Sequence, residues 1–173
     1  MAHLIRPLCL SVLAVTSGCI APPDPGYVRD PWEVAFRQAC ADATTDGLVI
    51  NLAAHPDDES ARTLVYLRRH GIRTVAIYST CGDGGQNAIG REIGPALAFL
   101  RTRETLAAAQ YTGTQVRWLG FADFGYSKTA AETFRTWGKD AYMRGLDKIV
   151  TAVHPDIAFT NHSPGRGHGH GRA

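Results

Sequence analysis

The sequence predicts an α/β fold in which helices cover both faces of a parallel sheet. From residue 31 onward, short runs rich in β-branched residues alternate with longer amphipathic segments, as expected for strands joined by helical crossovers. The composition, with 45% hydrophobic and 20% charged residues in a chain of 173, is typical of a globular domain with its own core. Because such crossovers are right-handed, we expect a three-layer, Rossmann-like architecture.

Four strands and four helical segments can be placed along the chain. The predicted strands are "LVINLAA", "TVAIYST", "QVRWLG" and "DIAFTN", each a short run bounded by turn residues. The predicted helices are longer and lie near residues 32–43, 59–70, 95–111 and 129–153, the last of them broken. No internal repeat interrupts this alternation, which predicts one folded domain over residues 31–173.

Residues 1–18 have the pattern of an export signal. A lone cation at Arg6 precedes an apolar run over residues 8–15, which is shorter than the roughly 20 residues of a membrane-spanning helix. The following "TSGC" resembles a bacterial lipobox, with threonine where that pattern usually has leucine. We therefore expect cleavage before Cys19, lipidation of Cys19, and an exported lipoprotein in the periplasm or at the cell surface of a bacterium. Without lipidation the protein would be secreted.

A proline-rich tether and two further cysteines follow the signal. The segment "IAPPDPGYVRDP" contains four prolines, so we expect residues 19–30 to form an extended tether. After export, Cys40 and Cys81 would lie in an oxidising compartment. A disulfide between them and two separately buried thiols are the two alternatives that the spacing leaves open.

Each predicted strand is followed by a polar segment. "HPDDE" follows the first strand, "CGDGGQN" the second, "FADFGYS" the third and "NHSPGRGHGHG" the fourth. In open parallel sheets, ligands bind outside the carboxyl ends of the strands, where the connecting loops meet. The sequence therefore predicts a functional site at that edge of the sheet.

The first polar segment, "AHPDDE", carries side chains that suit a metal site. His55 and Asp58 can direct a nitrogen and an oxygen at one zinc ion, which in catalytic sites has three protein ligands and one open position for water. Asp57, beside the ion, is then the candidate general base. Candidates for the third ligand are the late histidines His162, His168 and His170. Each segment also has another interpretation that stays open. "DDES" is able to cap the next helix, and the late histidines are able to form a flexible tail.

Five sequence segments occur in order from about residue 47 to the end of the chain. They are "AHPDDE", "TCGDGGQN", "RTRE", "GFADFG", and "HPDIAFTN" followed by "GHGHGR". This set resembles the PIG-L/LmbE family of zinc-dependent de-N-acetylases. The resemblance implies a Rossmann-like, LmbE-like fold, a Zn²⁺ cofactor, and removal of an N-acetyl group from N-acetylglucosamine units of a glycoconjugate.

The resemblance also implies roles for individual residues. His55 and Asp58 would bind zinc, and Asp57 would be the general base. Arg101 in "RTRE" and Asp123 in "FADFG" would line the substrate pocket. For Arg101, a surface ion pair within its own helix remains the alternative.

The last segment departs from the family pattern. The family usually has Gly-His-x-x-His there, in which the first histidine assists catalysis and the second binds zinc. In "GHGHGRA" the expected ligand position holds Gly171. We expect His168 to assist catalysis and His170 to bind zinc, since glycines on both sides of His170 permit a shifted backbone. Zinc binding by His168 and a site without its third ligand are the alternatives.

The expected partner is an N-acetylated amino-sugar conjugate. The 18 basic and 16 acidic residues are spread along the chain, so no nucleic-acid partner is expected, and membrane contact is expected only through the lipid anchor. The chain stops where the family continues, so we expect the family's C-terminal part to be lacking. Two alternatives to a deacetylase remain. The first is a non-catalytic carbohydrate-binding remnant of the fold, and the second is an amidase that acts on a non-sugar amide.

Overall fold

The structure is a computed structural model that describes residues 30–85, 87–125 and 129–162. Within these residues, strands and helices alternate along the chain as the sequence predicts. The elements in chain order are α1 (Pro31–Asp42), β1 (Leu48–Ala53), α2 (Ala61–Arg69), β2 (Arg73–Thr80), α3 (Pro95–Thr112), β3 (Gln115–Phe121), α4 (Ala130–Trp137), α5 (Lys139–Val153) and β4 (Ile157–Thr160).

The strands form a parallel sheet in the order β3-β2-β1-β4. Ile50 of β1 lies opposite Val75 of β2 on one side and opposite Ala158 of β4 on the other. Since the strands run in the same direction, their carboxyl ends meet at one edge of the sheet. The predicted α/β fold with a parallel sheet is confirmed.

Apolar side chains pack on both faces of the sheet. On one face, Leu64 of α2 packs against Tyr78 of β2. On the other face, Ile50 and Ile77 pack against Ile149 of α5. Neighbouring residues of a strand point to opposite faces, which is why Ile77 and Tyr78 belong to different clusters. Each large apolar side chain that is fully buried in this way stabilises the fold by roughly 1.5–3 kcal/mol.

Two helix boundaries test the sequence prediction. The last predicted helix is broken as expected, at Gly138, whose φ of 76° separates α4 from α5. The second helix, predicted near residues 59–70, is confirmed as α2 and begins at Ala61. The Ser60 N–H donates to Asn51 Oδ1 of β1 at 3.1 Å, and this hydrogen bond holds the preceding residues in a separate turn.

Several predictions about the N-terminal region concern residues that the structure does not describe. These are the signal peptide over residues 1–18, the lipidated Cys19 and nearly all of the tether over residues 19–30. In the described part of the chain, none of the helices is long and apolar enough to cross a bilayer. Cys40 on α1 and Cys81 after β2 are both free thiols, so the disulfide alternative is wrong, and Cys40 is exposed, so the alternative of two buried thiols is wrong as well.

Candidate active site

The turn between β1 and α2 is fixed to the strands β1 and β4. The Asp58 N–H donates to the His55 carbonyl at 3.2 Å and closes the turn. Asn51, fully buried in β1, accepts the Ser60 N–H through its Oδ1 and donates to the Phe159 carbonyl of β4 at 3.2 Å. One buried amide therefore connects the end of the turn to β4.

The acidic residues of this turn do not cap α2. The N-cap residue is Ser60, and its hydroxyl lies 2.8 Å from Thr63 Oγ1, with no side-chain bond to a backbone N–H. The first turn of α2 contains no acidic residue. The helix-capping interpretation of "DDES" is therefore wrong, and the acids of the turn have other partners.

His55 and Asp58 face each other across the turn. Asp58 Oδ2 lies 3.1 Å from His55 Nδ1 and accepts the His55 backbone N–H at 2.9 Å. The Asp58 carbonyl accepts a hydrogen bond from Asn161 Nδ2 at 2.9 Å, which joins the turn to the end of β4. A ring nitrogen and a carboxylate oxygen this close together are able to contact one metal ion.

Asp123 approaches the same histidine from the loop after β3. Its Oδ1 lies 3.4 Å from His55 Nε2, and its side chain is only 3% exposed. The Asp123 backbone N–H donates to Asp83 Oδ1 at 3.2 Å, which fixes this loop against the loop after β2. Asp123 therefore contacts the second ring nitrogen of a candidate metal ligand, a contact that orients the ring in metal sites.

The carboxylates of Asp58 and Asp123 also change the pKa of His55. Burial would by itself lower the pKa of His55. The hydrogen bond to Asp58 and the negative charges of Asp123 and Asp58 outweigh burial, so the pKa of His55 is raised above its ordinary value.

Asp57 is held by Arg101 of α3. Arg101 Nη2 lies 2.8 Å from Asp57 Oδ2 and donates to the Pro56 carbonyl at 2.9 Å. Arg101 thus pairs with the turn and not with Glu104 of its own helix, so the surface-pair alternative is wrong. The Asp57 backbone has a φ of 119°, which is unusual for a residue with a side chain and is often found at functional sites.

Glycines after β2 make room for the Arg101 guanidinium. Gly82 has a φ of 73°, and a Cβ atom at this position would collide with Arg101 Nη1. A Cβ atom at Gly85 would lie 2.6 Å from the same nitrogen. The glycines of "CGDGGQN" therefore permit the close approach of an arginine to the loop.

The Asp57 carboxylate keeps its capacity to accept a proton. Its side chain is 70% exposed, yet the protein atoms that crowd the carboxylate remove enough water to raise its pKa. Arg101 opposes this effect and the nearby Asp58 charge adds to it, and the resulting pKa of Asp57 is raised. A carboxylate with a raised pKa is a stronger base than an ordinary aspartate.

The end of β4 brings one of the predicted histidines to the site. His162 Nε2 lies 3.8 Å from Asp58 Oδ2, and the His162 N–H donates to Thr160 Oγ1 at 3.2 Å. His168 and His170, predicted as the catalytic and the metal-binding histidine, lie outside the described residues. Among the residues that the structure does describe, no group of three or more His, Cys, Asp or Glu side chains is arranged to hold a metal ion.

The donors that are present nevertheless fit zinc in kind. His55 and Asp58 offer an imidazole nitrogen and a carboxylate oxygen, both of which are usual zinc ligands. The buried Asp123 carboxylate lies against the other nitrogen of His55, as a supporting group would in a metal–histidine–carboxylate arrangement. His162 lies at the site, whereas His168 and His170 lie beyond the described residues, and these three histidines remain the candidates for a third ligand.

Sequence reasoning did not find the side chains that hold this site in place. The sequence does indicate that Asn51 is unusual, because it is a polar residue inside the apolar run "LVINLAA". Nothing in the sequence indicates the role of Asn161, since its partner Asp58 lies 103 positions earlier in the chain. The same is true of the contact between Arg101 and Asp57, which joins residues 44 positions apart.

The fold and the site define a Rossmann-like α/β protein whose polar side chains meet at the carboxyl edge of its sheet. The sequence profile of the PIG-L family, described as GlcNAc-PI de-N-acetylase, matches residues 50–172. This match covers well over half of the 173 residues, and the chain belongs to the PIG-L family. No curated protein matches the chain significantly.

Two solved structures share the fold. N,N'-diacetylchitobiose deacetylase from Pyrococcus horikoshii has 23% sequence identity and a TM-score of 0.56, over 84% of this chain and 56% of that one. GalB, the 4-carboxy-2-hydroxymuconate hydratase of Pseudomonas putida KT2440, has 16% identity and a TM-score of 0.53, over 72% of this chain and 51% of that one. The chain thus spans little more than half the length of these proteins. One fold serves a deacetylase and a hydratase, so function has to be argued from the site.

Proposed function

We propose that the protein is a zinc-dependent de-N-acetylase that removes the N-acetyl group from an N-acetylglucosamine-type glycoconjugate. The observation that carries the proposal is the turn after β1, where the Asp57 carboxylate lies beside the pair formed by His55 and Asp58. Membership of the PIG-L family supports the choice of an acetylated amino sugar as the substrate.

The residues that would hold zinc are His55 and Asp58, with His170 or His162 as the third ligand. When bound, zinc supplies Lewis-acid polarisation of the acetamide carbonyl and lowers the pKa of water toward about 7. Asp123 would keep the His55 ring in orientation through its contact with Nε2.

Asp57 and His168 would move the protons of the hydrolysis. Water adds to the acetamide carbonyl carbon while the Asp57 carboxylate accepts its proton. The C–N bond then breaks, its electron pair stays on the nitrogen, and that nitrogen takes a proton from His168. The products are acetate and the free amine.

Arg101 would serve both the base and the substrate. Nη2 of its guanidinium donates to the Asp57 carboxylate and to the Pro56 carbonyl, and Nη1 donates to the Gly82 carbonyl at 3.4 Å. A guanidinium presents five N–H donors in one plane, so its remaining donors suit hydroxyl or phosphate oxygens of a glycoconjugate.

The test is acetate release by the full chain supplied with zinc. We expect release from N-acetylglucosamine conjugates and little from N-acetyl amino acids, with loss of activity in His55→Ala. The control is His70→Ala, which removes an exposed histidine at the end of α2. Preference for the N-acetyl amino acids would favour a non-sugar amidase, and sugar binding without acetate release would favour the non-catalytic alternative.

We also propose that the protein is exported as a lipoprotein anchored through Cys19. The lipobox-like "TSGC" after a short apolar run supports this location. Incorporation of labelled palmitate into the native protein, with loss of the label in Cys19→Ser, is the expected result. Equal labelling of Cys19→Ser and the native protein would contradict it.

A further inference from the structure

Glu59 contacts the backbone of the turn, whereas Arg101 contacts the carboxylate of Asp57. Glu59 Oε2 accepts the backbone N–H of Asp57 at 3.1 Å. The Glu59 side chain also lines a cavity between α2, α3 and the sheet, together with Tyr78. Tyr78 belongs to the central strand β2 and is only 2% exposed, so Glu59 lies between the backbone of Asp57 and the core of the sheet.

Asp57 needs such support because of its backbone conformation. A φ of 119° is unfavourable for any residue with a Cβ atom, and conformations of this kind cost about 1–3 kcal/mol. They persist only where surrounding contacts hold them. Arg101 holds the carboxylate and the Pro56 carbonyl, whereas Glu59 binds the Asp57 N–H itself.

The pKa of Tyr78 is consistent with a carboxylate close to its buried ring. Burial and the Glu59 charge raise the pKa of Tyr78, so its hydroxyl stays neutral.

We propose that Glu59 is a positioning residue that holds Asp57 in the conformation required for proton transfer. The inference rests on the proposed function only for its kinetic consequence. The structural part concerns the hydrogen bond of the Asp57 amide and is measurable in a protein of any activity.

The variants are expected to fold, which makes the inference testable. Glu59 and Tyr78 line a cavity of about 40 Å³ between α2, α3 and the sheet. A cavity of this size admits water, which is able to satisfy the Tyr78 hydroxyl in Glu59→Ala. Glu59→Gln keeps the length of the side chain and an oxygen that accepts the Asp57 N–H.

The first measurement is hydrogen exchange of the Asp57 amide by NMR. We expect protection in the native protein and in Glu59→Gln, and loss of protection in Glu59→Ala. Unchanged protection in Glu59→Ala would overturn the inference, as would equal loss in Glu59→Ala and Glu59→Gln.

The second measurement separates kcat from KM in the acetate assay. Displacement of a reacting group by about 1 Å lowers rates by on the order of 100-fold, so Glu59→Ala should lower kcat to that extent with little change in KM. Glu59→Gln should retain most of kcat. Glu104→Ala, which removes an exposed glutamate of α3, is the matched control and should behave as the native protein.

The two measurements keep the two proposals apart. If kcat of Glu59→Ala equals that of the native enzyme while Asp57→Ala is inactive, Glu59 does not position the base and the inference is overturned. If the native protein releases no acetate, the proposed function fails, and the exchange of the Asp57 amide alone decides for or against the role of Glu59.

Discussion

Two arginine–aspartate ion pairs in this protein differ in their location and in the pKa of their aspartate. Arg101 contacts Asp57 at the carboxyl edge of the sheet through one nitrogen, Nη2, at 2.8 Å. Arg68 of α2 contacts Asp42 of α1 through both terminal nitrogens, and the Nη2–Oδ2 distance is 2.6 Å. The first pair belongs to the candidate site, and the second joins two peripheral helices.

The pKa values of the two aspartates move in opposite directions. Hydrogen bonds from Arg68 and Gln38 lower the pKa of Asp42 to about 2, so that carboxylate is a poor proton acceptor. Crowding of its carboxylate raises the pKa of Asp57 despite its single contact with Arg101, and the charge of Asp58 adds to that effect. The number of hydrogen bonds and the neighbouring charges therefore decide whether an ion pair fixes a structure or leaves a base available.

The largest expected effect is a difference in kcat between variants of Asp57 and variants of Asp42. General acid–base catalysis typically contributes about 10²–10⁴-fold, so Asp57→Asn should lower kcat for acetate release by that range. Asp42→Asn should leave kcat unchanged, because Asp42 lies in α1 and pairs with Arg68. Steady-state kinetics on both variants checks this, and full activity of Asp57→Asn would remove Asp57 from the mechanism.

Replacement of the two arginines by lysine should give the next largest difference. A lysine has one terminal nitrogen, so it is unable to serve the Asp57 carboxylate and the Pro56 carbonyl, as Nη2 does, and also to reach the Gly82 carbonyl, to which Nη1 donates at 3.4 Å. The loss of one hydrogen bond to a charged group corresponds to roughly 1.5 kcal/mol, so Arg101→Lys should lower kcat/KM about tenfold.

The control for the arginine exchange is Arg68→Lys. It should lower the free energy of unfolding slightly and leave kcat/KM unchanged, since Arg68 contacts α1. Equal kinetic effects of the two exchanges would show that Arg101 has no special relation to the base.

A smaller effect is expected from the glycine that faces Arg101. Gly82 and Gly120 have φ values of 73° and 79°, so alanine at either position meets the same backbone strain. Only at Gly82 would the new Cβ also collide with Arg101, whereas nothing lies within 4 Å of a Cβ at Gly120. Gly82→Ala should therefore destabilise the protein by about 1 kcal/mol more than Gly120→Ala. Chemical denaturation measures the difference, and equal losses would contradict the contact.

The smallest expected effect is the pH dependence of the peripheral pair. The pKa of Asp42 falls from 3.8 to about 2 on folding, so its ionised form is favoured in the folded state. Its stabilising contribution is present above pH 3.8 and is lost as the pH falls toward about 2. Denaturation between pH 2 and 6 should thus show a shallower acid decline for Asp42→Asn than for the native protein. Superimposable curves would show that the pair does not stabilise the fold.

The sequence predicted the elements and the position of the site because both depend on local patterns. Alternating apolar runs give the strands, and the polar segments after them identify the carboxyl edge. The structure brings His55, Asp57 and Asp58 together with Arg101 and Asp123 at that edge.

The support for these residues could not be predicted from the pattern. Asp57 has a positive φ and contacts Glu59 and Arg101, the second of which is distant in sequence. Tyr78 has the appearance of an ordinary strand residue, and it lines one cavity with Glu59 only in the folded chain. Local periodicity carries no information on which strand residue lies below which turn.

Bound zinc per chain is the measurement that tests the proposed site most directly. The full chain, His55→Ala and the control His70→Ala would be dialysed and analysed for metal content. The proposed site predicts about one zinc per chain in the native protein and in His70→Ala, and a loss of that zinc in His55→Ala. Zinc retained in His55→Ala, or no zinc in the native protein, would contradict it.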